Sequence, residues 1–458
     1  MVKRAIAWAF LLCVTALFVF NLAQLRAGTT PDSASYLFTA LEFHRGGELN
    51  FPAQREPGYR VLILGLSVLV PWSDVDGLVR WVAAVQVGLY VVVAALLARR
   101  FERLAGVWGA AAVVLLFAAN RFDMQWMSTV QSEAPSKLVM LFALWLVLGG
   151  WRRRWPVALV LLGLVPILRP SDVAVPLGAL TGMMVWLLLQ PAERRRHGLR
   201  VVAMAAVALL GPTLAYSALH GRITGFAGLS ERSASHLTAR ILASTEPSWL
   251  AERGFDAAFL DEVARPLWEA NSGALHGRVV LDDEFGRPSG LSFRYCPFPR
   301  REILTLAEAY AARRGLPTDN YSISAALQQQ GNRALALMPP VFIACAAEVA
   351  WDYLRLPVVR AATSQSLRNR LSLAVPAVFI AGLVLAATAA AERRALALAM
   401  AAAALAMEPA YLVICGLFNN YMERLATHLW LPMALLALAA AVVARFGTSG
   451  LGRKNESC

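Results

Sequence analysis

The stretch GTTPDSASYLFTALEFHRGGELNFPAQREPGY, residues 28–59, separates the first long apolar run of the chain from the next, and its reading decides how the rest is laid out. From Ser33 onward, Tyr36, Leu37, Ala40, Leu41 and His44 recur at helical spacing, with Asp32 or Ser33 placed to cap. A short amphipathic helix lying at a membrane interface and ending at Gly46-Gly47 is expected. Arg55-Glu56-Pro57-Gly58-Tyr59 then opens an apolar run to Trp72. At about 16 residues it falls short of the roughly 20 a spanning helix needs, so we read it as re-entrant or interfacial.

Charge fixes the layout outward from this stretch. Hydrophobic residues make up 58% of the chain and charged residues only 16%, and the apolar residues lie in long runs, as in a polytopic all-α membrane protein. The net charge of +13 resides in short clusters beside those runs, which is membrane orientation and not a nucleic-acid footprint. Lys3 and Arg4 put the N-terminus in the cytoplasm and Asp32 outside, after a first span from Ala5 to about Leu25. Asn21 to Thr30 has no small-x-small cleavage site, so this helix is expected to be retained. Further spans follow at Leu78 to Ala98, Ala105 to Asn120, Pro135 to Gly150, Pro156 to Leu168, Val173 to Leu189 and Leu199 to Leu219. With these, Arg99 to Arg103, Arg152 to Arg154 and Arg194 to Arg196 all fall inside. The last spans are Leu371 to Ala390, Ala395 to Leu417 and Leu429 to Val443, giving about ten in all.

The expected units are an N-terminal membrane module, residues 1–219, whose first external loop is 26–56; a mainly helical external domain, 220–333; and 334–458, an interfacial helix at Ala334 to Leu356 followed by the last spans. Asp282 to Arg300 reads as loop, and Ala386 to Ala406 as a run for close helix packing. Cys296 and Cys345 alone fall outside the cytoplasm; an oxidising compartment would permit a bond, and the expectation is two free thiols. Asp282-Asp283-Glu284 lacks the ligand spacing of a calcium loop, and the scattered histidines, His428 among them, suggest no metal.

Pro31-Asp32-Ser33, Tyr36 and Arg55-x-Pro57-Gly58-Tyr59 resemble the first external loop of the GT-C superfamily of membrane glycosyltransferases, among them the protein O-mannosyltransferases and lipid A aminoarabinose transferases. That resemblance implies a multi-pass enzyme of the inner or cytoplasmic membrane, with its active site facing the periplasm or cell exterior. It would move a sugar from a polyprenyl-phosphate carrier to a glycan, lipid or protein acceptor, with inversion and with membrane lipid around it. Asp32 would be the general base, against the alternative of a helix N-cap. Arg55 is a phosphate candidate or an interface anchor, beside Glu56, Tyr36 and Tyr59. Glu133 resembles the acid of the O-mannosyltransferases, and equally suits a helix start. Arg169, in Arg169-Pro170-Ser171-Asp172, resembles the Arg-Pro after the matching span and is a second phosphate candidate, or else pairs locally with Asp172. Tyr421 and Arg424 stand where relatives carry an Arg-Tyr pair. Glu408, inside an apolar run, lines a cavity or pairs within the bundle. The first loop has no Asp-x-Asp, which leaves a divalent metal open. Other readings are a lipid-linked glycan polymerase or ligase, and a transporter or flippase for such glycans, which would carry charges mid-span and repeat symmetry.

Overall fold

The computed structural model describes residues 2–30, 32–46, 57–69, 74–149, 151–229, 231–275, 277–282, 288–294, 296–297, 299–364, 370–418 and 427–446. Helices dominate them, as apolar runs require when backbone groups must be satisfied without water. Five are long and apolar enough to cross a membrane: Arg4–Ala23, Val75–Ala119, Pro170–Leu188, Ala192–Thr224 and Arg393–Cys415; a sixth arises if the bent pair Asn320–Ala336 and Pro340–Thr363 is one span. Shorter apolar helices stand at Pro57–Leu69, Arg154–Leu168, Ala374–Ala387 and Trp430–Phe446. Large aliphatic side chains cover the outer surface, Val207 at 73% exposure and Leu214 at 64% on Ala192–Thr224, an arrangement suited to an apolar solvent. The chain has the make-up of a multi-pass membrane protein.

Val75–Ala119 is one run of helix that turns back on itself at Gly106, whose φ of 70° and ψ of −165° lie outside the helical region. A Cβ on Gly109 would stand 2.5 Å from the carbonyl oxygen of Phe101, eight residues earlier, where a straight helix would hold them about 12 Å apart. The reversal follows directly on Arg99 to Arg103. Two limbs therefore meet at a basic turn.

Other basic residues collect at the same end. Arg100 and Arg154 meet at Gly149, the cap of helix Glu133–Leu148, 2.6 and 3.1 Å from where its Cβ would stand. Arg195 donates to the carbonyls of Gln190 and Leu188 at 3.1 and 3.2 Å, closing helix Ala174–Leu188. Arg393 Nη1 donates to the Arg445 carbonyl at 2.7 Å, which joins the start of Ala391–Phe418 to the end of Trp430–Phe446. Gly178 and Gly182 let Ala174–Leu188 run antiparallel to Met407, Ala403 and Ala399 of the alanine-rich helix, at a separation where any side chain on either glycine would strike backbone. Each of these helices thus leads from a basic end to the opposite, polar one.

Residues 231–336 form a second body around Leu237, Ile241, Phe259, Val263, Ile303 and Leu327, with Glu231–Ser244 at its centre. The stretch expected as loop at Asp282 to Arg300 holds one strand, Pro288–Arg294, which pairs antiparallel with Arg278–Asp282 just before it. Pro288 opens a strand there, at a position where its missing amide hydrogen is tolerated. The expected interfacial helix at Ala334 to Leu356 is broken at Met338 (φ 52°) and Pro339-Pro340, which set Asn320–Ala336 and Pro340–Thr363 at 93°. The second of these lays Cys345, Val349, Tyr353 and Leu356 against Met407, Tyr411 and Cys415. Cys296 and Cys345, expected as free thiols, are bonded, with Cα atoms 6.1 Å apart; the chain between them folds back through this second body and brings two buried sulfurs together.

Candidate functional site

At the polar end the stretch from Gly28 to Tyr36 is docked on the segment Met127 to Ser132. Gly28 forms a parallel bridge to Thr129, and Ser33 Oγ donates to the Val130 carbonyl at 2.8 Å. Tyr36 donates its hydroxyl to Ser132 Oγ at 3.1 Å and packs edge-on against Tyr59, ring centroids 5.0 Å apart. Tyr59 in turn donates to Gln86 Oε1 at 2.7 Å, and the Gln86 amide reaches the carbonyls of Thr129 and Met127 at 2.9 and 3.1 Å. Gly58 explains the Pro-Gly-Tyr motif. A Cβ there would come within 3.0 Å of the Ile167 carbonyl oxygen, so glycine lets helix Pro57–Leu69 sit on the end of Trp151–Leu168 without a backbone shift and deliver Tyr59 to the side of Glu133.

Asp32 is half-buried one turn ahead of Tyr36. Its backbone is already helical (φ −80°, ψ −23°), and its side chain makes no cap bond to helix Ser33–His44. A cap residue normally adopts extended dihedrals and accepts from the second or third amide, so the cap alternative lacks its defining contact.

Behind this loop lies a buried charged cluster. Arg169, 4% exposed, stands between Glu133 (Nη2 to Oε1 3.8 Å) and Asp172 (Nη1 to Oδ1 3.5 Å), with its guanidinium 5.8 Å from the Tyr411 ring centroid. Asp172 also accepts from Ser136 Oγ and from His428 Nε2, the latter at 3.0 Å. One turn beyond Glu133, Lys137 pairs with Asp123, whose other oxygen accepts from the Asn120 amide at 2.7 Å. Burial raises the Asp123 carboxyl to about 6 even against the pull of Lys137. Burial, together with the Arg169 charge, holds the His428 imidazole down to about 4. The ring is therefore neutral near pH 7, with Nε2–H donating to Asp172 and a lone pair on Nδ1.

Buried polar atoms are nearly always satisfied. Here Arg169 Nη1, Asp172 Oδ1, the Tyr411 hydroxyl and His428 Nδ1 are buried without a hydrogen-bond partner among the described residues. Arg169 Nη1 and Asp172 Oδ1 face each other only as an ion pair at 3.5 Å, and with the Tyr411 hydroxyl and His428 Nδ1 beside them they leave hydrogen-bonding capacity for a polar ligand.

Of the residues singled out from sequence, Tyr36, Tyr59, Glu133 and Arg169 are brought together, with Asp32 at their rim. Arg55, Glu56, Tyr421 and Arg424 lie outside the described residues, as do Asp283 and Glu284 of the acidic run. The local Arg169–Asp172 pair exists, yet Arg169 is shared with Glu133 and is not used up by it. Glu408 has its Oε2 buried without a hydrogen-bond partner among the described residues, one turn from Tyr411. Asp172, His428, Ser136, Lys137, Asp123 and Tyr411 were not foreseen as site residues. Only Asp172, through the Arg-Pro-Ser-Asp spacing, and Lys137, as a rare lysine inside an apolar run, carried a signal. Among the described residues no group of three or more His, Cys, Asp or Glu is placed to hold a metal ion. Comparison with protein-family models, with curated proteins and with solved structures finds no match to this chain.

Proposed function

We propose that the chain is an integral membrane glycosyltransferase of GT-C type, transferring a sugar from a polyprenyl-phosphate carrier to an acceptor on the external face of the inner or cytoplasmic membrane. The observation that carries this reading is Arg169: a buried guanidinium at the end of the bundle away from every basic cluster, next to an acid-bearing loop and amid unsatisfied polar atoms. A cation there serves neither topology nor surface solubility, and a guanidinium suits a phosphate. Counting the two limbs of Val75–Ala119 separately, and leaving Pro57–Leu69 and Pro340–Thr363 uncounted, gives about ten spans with both termini on the basic, cytoplasmic side. The Cys296–Cys345 bond agrees with an oxidising compartment for the body at 231–336.

In this reaction Asp32 takes the proton of the acceptor hydroxyl as its oxygen attacks the anomeric carbon. The bond from that carbon to the phosphate oxygen breaks, and the electron pair leaves on the phosphate. Arg169 stabilises that growing charge, where a preorganised cation is most effective. The test is retention of lipid. Native mass spectrometry of the purified full chain should show bound polyprenyl phosphate or its sugar ester, and Arg169→Met should lose it. Equal retention by both proteins, or none by the wild type after addition of the lipid, would count against the reading.

A further inference from the structure

The cluster has a charge imbalance that a phosphate would make worse. Among the described residues its cations are Arg169 and Lys137, and its carboxylates are Glu133, Asp172 and Asp123. With His428 neutral the sum is one negative charge, and an anionic diester entering beside Arg169 would meet two carboxylates already paired with that arginine. A like-charge encounter in a buried site is strongly unfavourable. One group can change this. The groups facing His428 are Asp172 and Arg169 from the turn after Trp151–Leu168, Lys137 from Glu133–Leu148 and Tyr411 from Ala391–Phe418, whose ring centroid is 6.0 Å away. Asp172 holds Nε2 at 3.0 Å, and Nδ1 is buried with nothing to bond among the described residues.

We infer that His428 is a phosphate ligand that takes up a proton as the lipid donor binds: Asp172 orients the ring through Nε2, and the new Nδ1–H donates to a non-bridging phosphate oxygen. The proton comes from solvent and the phosphate remains a monoanion, so no covalent bond changes. Proton uptake brings the cluster to neutrality before the anion is added, and fills the vacant valence of Nδ1 with a charged acceptor. Arg169 and the imidazolium then grip the phosphate from two elements far apart in sequence, and Asp172 is the common support of both. This inference rests on the phosphate reading of the site and adds to it the identity and protonation state of a second ligand.

The experiment uses the full-length chain in detergent and farnesyl methyl phosphate, a short prenyl diester with one fixed charge and no proton to exchange near neutrality. Titration calorimetry at pH 7 in two buffers of different ionisation enthalpy counts the protons taken up. About one proton per bound diester is expected, with affinity rising up to about tenfold per pH unit as pH falls from 8 to 6. His428→Gln keeps an N–H for Asp172 but cannot take the proton, so uptake should vanish and the affinity become flat with pH. Binding by wild type without uptake overturns the inference while sparing the phosphate site, and the wild-type measurement alone decides this if the variant does not fold. Undiminished uptake in His428→Gln overturns the assignment to that ring. Failure of the wild type to bind the diester at any pH overturns both this inference and the reading beneath it.

Discussion

Asp172 supports Ser136, His428 and Arg169 at once, and its loss should be felt as structure before it is felt as chemistry. Asp172→Asn preserves shape but leaves the guanidinium with Glu133 alone and places an amide N–H against one of the donors around it. Breaking a buried pair by removing one partner is worth about 3 kcal/mol or more, so the variant should show a clearly lowered melting temperature in detergent. An unchanged Tm would mean that the pair contributes nothing to holding Arg169. Only part of this cluster was readable in sequence. Asp32, Tyr36 and Tyr59 sit within one loop, and Glu133 and Arg169 each mark a span boundary, so local pattern exposes them. Asp172 and His428 are 256 residues apart, and nothing in either neighbourhood announces a contact that exists only after the bundle closes.

Among the elements, helix Pro57–Leu69 positions Tyr59 and depends on one missing side chain. Gly58→Ala would press a Cβ to within 3.0 Å of the Ile167 carbonyl, and backbone on both sides cannot yield like the tip of a side chain. Overpacking of this kind costs about 1–3 kcal/mol. The variant should lose stability in that range by thermal unfolding and bind prenyl phosphate more weakly; an alanine tolerated with full binding would show that the two helices are free to separate. Spans were legible because apolar runs and basic clusters alternate along the chain. The turn at Gly106 could be placed from Arg99 to Arg103 before any coordinates. The hairpin at Arg278–Asp282 and Pro288–Arg294 could not, since the Gly and Pro residues of its second strand read as loop, and the 93° break at Met338 divides what was expected as one interfacial helix.

For the molecule as a whole, polarity is the organising fact: helices run from a basic end to a buried charged end, and the body at 231–336 is fastened to the bundle by Cys296–Cys345. With Cys13, the exposed free thiol among the described residues, and Cys458 both replaced by Ser, a cysteine at Ser33 should react with an impermeant maleimide in intact cells and one at Arg100 should not. The reverse pattern would invert the molecule and remove the external chemistry with it. Whether Asp32 takes the acceptor proton beside a phosphate held by Arg169 is read from turnover. Purified wild type and Asp32→Asn would be given polyprenyl-phosphate monosaccharides and acceptor-containing membrane extract, and release of free polyprenyl phosphate followed. Removal of a general base lowers the rate roughly 100- to 10,000-fold, whereas Asn, a good helix cap, would leave a structural role nearly intact. A fall of at least about a hundredfold is expected, with near-normal Tm and unchanged binding of the lipid donor. Wild-type turnover retained by Asp32→Asn would contradict it.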